Sequence, residues 1–213
     1  MGVAANFKST AAVLNTRFTA ATGHRVTLSS ASTGTLSTQI RYGAPFDIFL
    51  SADVNAAARL EADGYGVLGS RFCYAMGKLV LIGDSGNIED LGNPDLSLAI
   101  ANPLTAPYGK AAQQVLARPE FSSAGSRKLV RGNNVIQTYQ YWHSAAVDLA
   151  LIPLSLAPPA HTLIPQNWYT SLEQHAILLR TGQKNQAAKA YLDWLGGESA
   201  QALISDAGYG QCP

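Results

Sequence analysis

Residues 1–53 alternate short apolar runs with amphipathic segments, and that alternation restricts the fold more than any other feature of the chain. Val3-Ala4-Ala5 ends an apolar strand. Phe7, Ala11, Leu14 and Phe18 then recur at intervals of four, three and four, the helical period, which predicts a helix to about Ala21 with one buried face. Thr22-Gly23-His24 closes it, and Arg25 to Ser30 alternates like a strand. Leu36 and Ile40 mark a second helix, broken by Gly43-Ala44-Pro45. Phe46 to Leu50 is a buried strand ending at Ser51-Ala52-Asp53. A β-α-β-α-β order implies an α/β fold with a mainly parallel sheet, whose ligands sit at the carboxyl ends of the strands.

The remainder repeats this logic. Asn55 to Asp63 is a further helix, and Tyr74 to Gly83 reads as one strand, long enough to pass from one lobe to another. Strand, turn and helix follow at 96–101, 102–107 and 108–116, and again at Lys128 to Arg131, Gly132 to Asn134 and a helix carrying Val135, Tyr139, Trp142 and Ala146. Leu149 to Ile152 is a buried strand, His161 to Ile164 a short one, and Gln174 to Leu179 a strand that returns antiparallel to the rest. Helices at 185–195 and 199–206 end the chain. The pattern gives two lobes, residues 1–78 with 178–213 and residues 79–177, joined by crossings near 77–80 and 174–178, with a ligand cleft between them.

Four strand-to-helix turns share one build: Asn6 with Ser9 and Thr10, Ser32-Thr33-Gly34-Thr35, Ala106-Pro107-Tyr108-Gly109, and Gly132-Asn133-Asn134-Val135. Free backbone N–H groups gather at helix starts and the dipole there is positive, so such turns bind anions. Asn, Ser, Thr and Gly are also ordinary capping residues, so one such turn alone says little. The Asn6 side chain can donate as well. Lys and Arg are absent from three of the turns, and Lys8 and Lys110 can point away from inside their helices. A cage of neutral donors suits a fully deprotonated dianion, and it penalises a protonated oxyanion whose O–H finds no acceptor.

Fifteen Lys plus Arg against fourteen Asp plus Glu leave a formal charge of +1, which is not the footprint of a nucleic-acid binder. The apolar runs are too short to span a bilayer as helices. Cys73 and Cys212 form no metal pattern; the pair suits either one disulfide tying the tail to the body or two buried thiols. Met-Gly leads straight into a strand, which suits a chain whose export segment has been removed. An enzyme needs a nucleophile, a base or a metal cluster. His24, His143, His161 and His175 show no paired spacing, and neither a nucleophile elbow nor a phosphate-binding loop occurs. Asp47 and Asp53 flank a strand, but Asp53 opens a helix and reads as its N-cap.

The segment Ala31-Ser32-Thr33-Gly34-Thr35-Leu36, then Gln39-Ile40, then Gly43-Ala44-Pro45-Phe46-Asp47-Ile48-Phe49-Leu50-Ser51-Ala52-Asp53, resembles the signature of the periplasmic molybdate-binding proteins of ABC importers. The opening Ala-Ala-Asn-Phe, the Asn-Pro…Ala-Pro-Tyr-Gly turn and the Asn-Val helix start match in order and spacing, so the resemblance runs from end to end. It implies a two-lobed type II periplasmic-binding-protein fold closing over one tetrahedral oxyanion, molybdate or tungstate, with no catalysis, no resident cofactor and no directly bound metal. It also implies a periplasmic location, a membrane permease as partner, no nucleic acid, and a monomer. Matched by motif, the ligand contacts are Ala5, Asn6, Thr33, Tyr108 and Val135 through its N–H. Some members place a ligand-binding tyrosine where this chain has Pro153; Tyr108, where those members have a small residue, is then the source of a phenol. The alternatives are a binder of another oxyanion such as sulfate or a small carboxylate, an enzyme on the same fold using Asp47 or a histidine, and a sensor domain.

Overall fold

The computed structural model describes all residues, Met1–Pro213. In chain order the elements are β1 (Gly2–Ala4), α1 (Lys8–Thr22), β2 (Ser29–Ala31), α2 (Thr33–Arg41), β3 (Ile48–Leu50), α3 (Val54–Ala62) and β4 (Phe72–Gly77). They continue with β5 (Leu79–Ile82), β6 (Leu98–Ala101), α4 (Pro107–Leu116), β7 (Leu129–Gly132), α5 (Val135–His143), β8 (Leu149–Pro153), β9 (Thr162–Leu163), β10 (Leu172–Leu178), α6 (Gln186–Leu195) and α7 (Glu198–Asp206). The chain forms two compact units, Met1–Met76 with Glu173–Pro213, and Gly77–Leu172.

The first unit holds a five-stranded sheet in the order β2-β1-β3-β10-β4. β1 runs parallel to β2 and β3, while β10 pairs antiparallel with β3. Phe7, Leu14 and Phe18 pack with Tyr191, Leu192, Leu195 and Ile204 of α6 and α7, and Phe18 meets Tyr191 edge-on at 5.0 Å. A second cluster joins Leu36, Ile40, Ala57 and Leu60 of α2 and α3 to Phe49 and Ile177. Helices therefore cover both faces, which is what lets short apolar strands with no polar alternation stay out of water.

The second unit repeats the scheme in the order β7-β6-β8-β5-β9, with β6 parallel to β7 and β8, and β5 antiparallel to β8 and β9. Val80, Ile82, Ala99, Ala150 and Ile152 form its core with Tyr139 and Trp142 of α5 packed on it. Leu79, Leu81, Leu98, Ile100, Leu149 and Leu151 take the alternate positions and face the other side.

Four sequence expectations need correction. The strand read at Arg25 to Ser30 is confined to β2, Ser29–Ala31. Tyr74 to Gly83 is two strands, interrupted at Lys78: β4 belongs to the first sheet and β5 to the second. The predicted helix through Ala146 stops at His143, because Ala145 is left-handed at φ 55° and its N–H turns back to the Trp142 carbonyl. Between β1 and α1 the chain makes a 3-10 turn, Ala5–Phe7, so α1 begins only at Lys8, and Ser9 and Thr10 lie one turn further from the strand than the sequence suggests.

Candidate functional site

Register places the four turns. In the first unit Ala4 lies beside Ala31 and Val3 beside Leu50, so Ala5-Asn6, Ser32-Thr33 and Ser51-Ala52 all leave the sheet at its carboxyl edge. In the second, Ala101 lies beside Gly132, and the two carboxyl-edge turns lead into α4 and α5. Ala5, Asn6 and Thr33 thus share one edge of the first unit, and Tyr108 and Val135 share one edge of the second. All five are buried.

Capping chemistry separates the turns. Neither the 3-10 turn that carries Ala5 and Asn6, nor α2, nor α4 receives a side-chain cap. Their leading N–H groups have no intrahelical acceptor. By contrast Asn134 caps α5, accepting from the N–H groups of Ile136 at 3.0 Å and Gln137 at 3.1 Å. Val135, at the first position of α5, still has an N–H that the helix itself cannot satisfy. Asp53 is the N-cap of α3, accepting from Ala56 at 2.8 Å, which ties its carboxylate to a helix dipole.

The side chains of these turns are engaged within the first unit. Thr33 Oγ1 accepts from the Ala52 N–H at 3.1 Å, and a hydroxyl that accepts one bond still has its own proton to give. Ser32 Oγ and Thr35 Oγ1 lie 2.7 Å apart. The Asn6 amide is used differently from the sequence expectation: Nδ2 donates to Gln174 Oε1 at 2.9 Å and to the Tyr209 hydroxyl at 3.2 Å. Gln174 Oε1 also accepts from Tyr74 at 3.0 Å, and the Tyr209 hydroxyl donates to the Asn6 carbonyl at 2.8 Å. Burial keeps the Tyr74 phenol well above its ordinary pKa, helped by the neighbouring Tyr209 and Tyr191, so it remains a neutral donor. The Asn6 side chain is therefore locked from inside. Sequence reasoning missed this network; its only trace was Gln174, between Glu173 and His175 ahead of the apolar end of β10.

At α4 the decisive residue is Gly109. A Cβ there would lie 2.2 Å from the Ala101 carbonyl oxygen and 2.9 Å from the Asn102 carbonyl carbon. Only a glycine lets this helix start so close to the strand it follows, with Pro107 at its first position and Tyr108 buried beside it. Pro153 closes β8 at the same edge and has no N–H to offer.

Lys8, Lys110 and Arg131, the basic residues next to these turns, are exposed. Catalytic groups do not gather there either. Asp47 precedes β3, at the opposite edge, and lines a cavity of about 320 Å³ with Arg25 and Asn185. His24 and His143 are exposed, and His161 Nδ1 lies 2.7 Å from the Pro158 carbonyl. His175 neighbours Ser51, but its ring is held between Arg71 at 2.8 Å and Glu173 at 2.7 Å. Cys73, Glu173 and His175 are close enough together to hold a metal ion, yet the Cys73 sulfur is bonded to Cys212.

The profile of the bacterial extracellular solute-binding proteins matches residues 1–210. The chain is 39% identical to the molybdate-binding protein ModA of Azotobacter vinelandii, across 99% of this chain and 88% of that one. This chain belongs to the molybdate-binding family of bacterial extracellular solute-binding proteins. The ModA of Rhodobacter capsulatus is 38% identical, over 97% of this chain and 86% of its own length. The solved periplasmic molybdate-binding protein of Azotobacter vinelandii superposes with a TM-score of 0.91 at 34% identity, covering 100% of this chain and 99% of that one. The two-lobed α/β architecture expected of this family is the one the structure has, and no helix is long and apolar enough to cross a membrane.

Proposed function

We propose that the chain captures molybdate or tungstate with uncharged donors and delivers it to the permease of an ABC importer in the periplasm, acting as a monomeric binder without catalysis. The observation that carries this reading is the set of helix starts at the carboxyl edges of both sheets, three of them without a side-chain cap, among buried residues and with the nearby Lys8 and Lys110 exposed. A tetrahedral dianion can accept from N–H groups at helix starts such as these, and the helix dipoles offset its charge.

In this reading Ala5, Asn6 and Val135 contribute main-chain N–H groups, Thr33 its N–H and hydroxyl, and Tyr108 its N–H and phenol. Affinity between micromolar and nanomolar corresponds to roughly −8 to −12 kcal/mol. Calorimetric titration with molybdate, tungstate, sulfate and phosphate tests the reading. The expected result is one molybdate or tungstate per chain, sulfate weaker, and phosphate weakest because its protonated form meets only donors. Tyr108→Phe and Thr33→Val should each cost about 1–3 kcal/mol of binding. Phosphate binding as tightly as molybdate, or both variants binding like the parent, would overturn it.

A further inference from the structure

We infer that the C-terminal tail is a positioning device for the oxyanion turn, with Tyr209 as the positioning residue and the Cys73–Cys212 disulfide as its anchor. The inference rests on the proposed site. Tyr209 is buried, stands edge-on to Phe7 with ring centroids 5.2 Å apart, and places one hydroxyl on both sides of Asn6. That hydroxyl donates to the Asn6 carbonyl at 2.8 Å and accepts from Asn6 Nδ2 at 3.2 Å. One side chain 203 residues away thus fixes the peptide and the side chain of the same turn residue.

The tail that carries Tyr209 is short, and two attachments follow it directly. Met76 and Gly210 exchange backbone hydrogen bonds of 2.9 and 2.8 Å, which adds the tail to the end of β4, and Cys212 is bonded to Cys73 on the same strand. β4 also carries Tyr74, whose hydroxyl shares Gln174 Oε1 with Asn6. Strand, tail and turn are therefore one hydrogen-bonded unit. Without the covalent bond the last residues are free to fray, as chain ends do, and the phenol loses its fixed place against Asn6. A role confined to stability would make the disulfide independent of ligand affinity; a positioning role makes it act on affinity through Tyr209.

A double-mutant cycle separates the two. Molybdate affinity by calorimetry and ligand-free thermal unfolding are measured for the parent, Tyr209→Phe, Cys73→Ser with Cys212→Ser, and the combination. Tyr209→Phe keeps the ring and removes two hydrogen bonds from Asn6, so affinity should fall roughly ten- to a hundred-fold. Removing the disulfide should lower both stability and affinity in the parent, but in the Tyr209→Phe background it should lower stability alone. Unchanged affinity in Tyr209→Phe, or an undiminished effect of the disulfide on affinity in that background, would overturn the inference while the binding function stands. A parent chain that binds no oxyanion would overturn the functional reading and this inference with it.

Discussion

Gly109→Ala sets two magnitudes against each other. Helix propensity favours alanine over glycine by about 0.5–1 kcal/mol, so on local grounds the substitution stabilises α4. The structure says otherwise. The new methyl would meet the Ala101 oxygen at 2.2 Å, the Ala101 carbonyl carbon at 2.7 Å and the Asn102 carbonyl carbon at 2.9 Å. All three are main-chain atoms, so relief requires moving the start of α4 by about 1 Å from the end of β6, and overpacking of this kind costs about 1–3 kcal/mol. With no flexible side chain to give way, the upper end applies and the clash wins by about 2 kcal/mol. For a chain of this size that lowers Tm by roughly 4–8 °C. Displacing Tyr108 and its neighbouring N–H groups should also weaken molybdate binding about tenfold, the equivalent of one hydrogen bond. Gly125→Ala is the control, because its Cβ would find only the Ser122 oxygen at an ordinary 3.5 Å. Differential scanning calorimetry and calorimetric titration read both effects. A Gly109→Ala chain as stable as the parent, with the same affinity, would refute the claim that this close approach shapes the site.

Gln174→Leu removes the acceptor shared by Asn6 and Tyr74 and leaves two buried donors without it, so chemical denaturation should show a loss of about 2–5 kcal/mol. The pH dependence of stability has a definite sign at Glu61. The Arg71 guanidinium, and then the Gly69 N–H, hold its carboxyl below the usual range. A depressed folded pKa contributes stability above the unfolded value of about 4.3 and loses it as pH falls through the folded one. Thermal scans should therefore show the parent above Glu61→Gln at neutral pH and the gap closing below about pH 4.3.

The sequence made the local features legible and hid the distant ones. Apolar spacing revealed α1 because Phe7, Leu14 and Phe18 bury one stripe, Pro107 marked the start of α4, and Asp53 caps α3 as its position suggested. Each depends on residues within a few positions of one another. The break at Lys78 was not legible, since Phe72 to Ile82 is almost uniformly apolar and only pairing with different partners divides it. Nor was the end of α5, where an alanine takes a conformation that glycine usually signals. The lock on Asn6 was hidden for a different reason: Gln174 and Tyr209 lie 168 and 203 residues away, and no periodicity carries information over that distance. The absence of lysine and arginine from three of the turns was readable directly. Which turn is capped by its own asparagine needed the coordinates.

Anomalous diffraction from crystals grown with tungstate tests most directly whether uncharged groups hold the ion. One heavy-atom peak per chain is expected, with oxygens about 2.7–3.1 Å from main-chain N–H groups of the Ala5-Asn6, Thr33, Tyr108 and Val135 turns and from the Thr33 hydroxyl. A peak whose oxygens are paired with a lysine or arginine side chain, or that lies away from these turns, would contradict it.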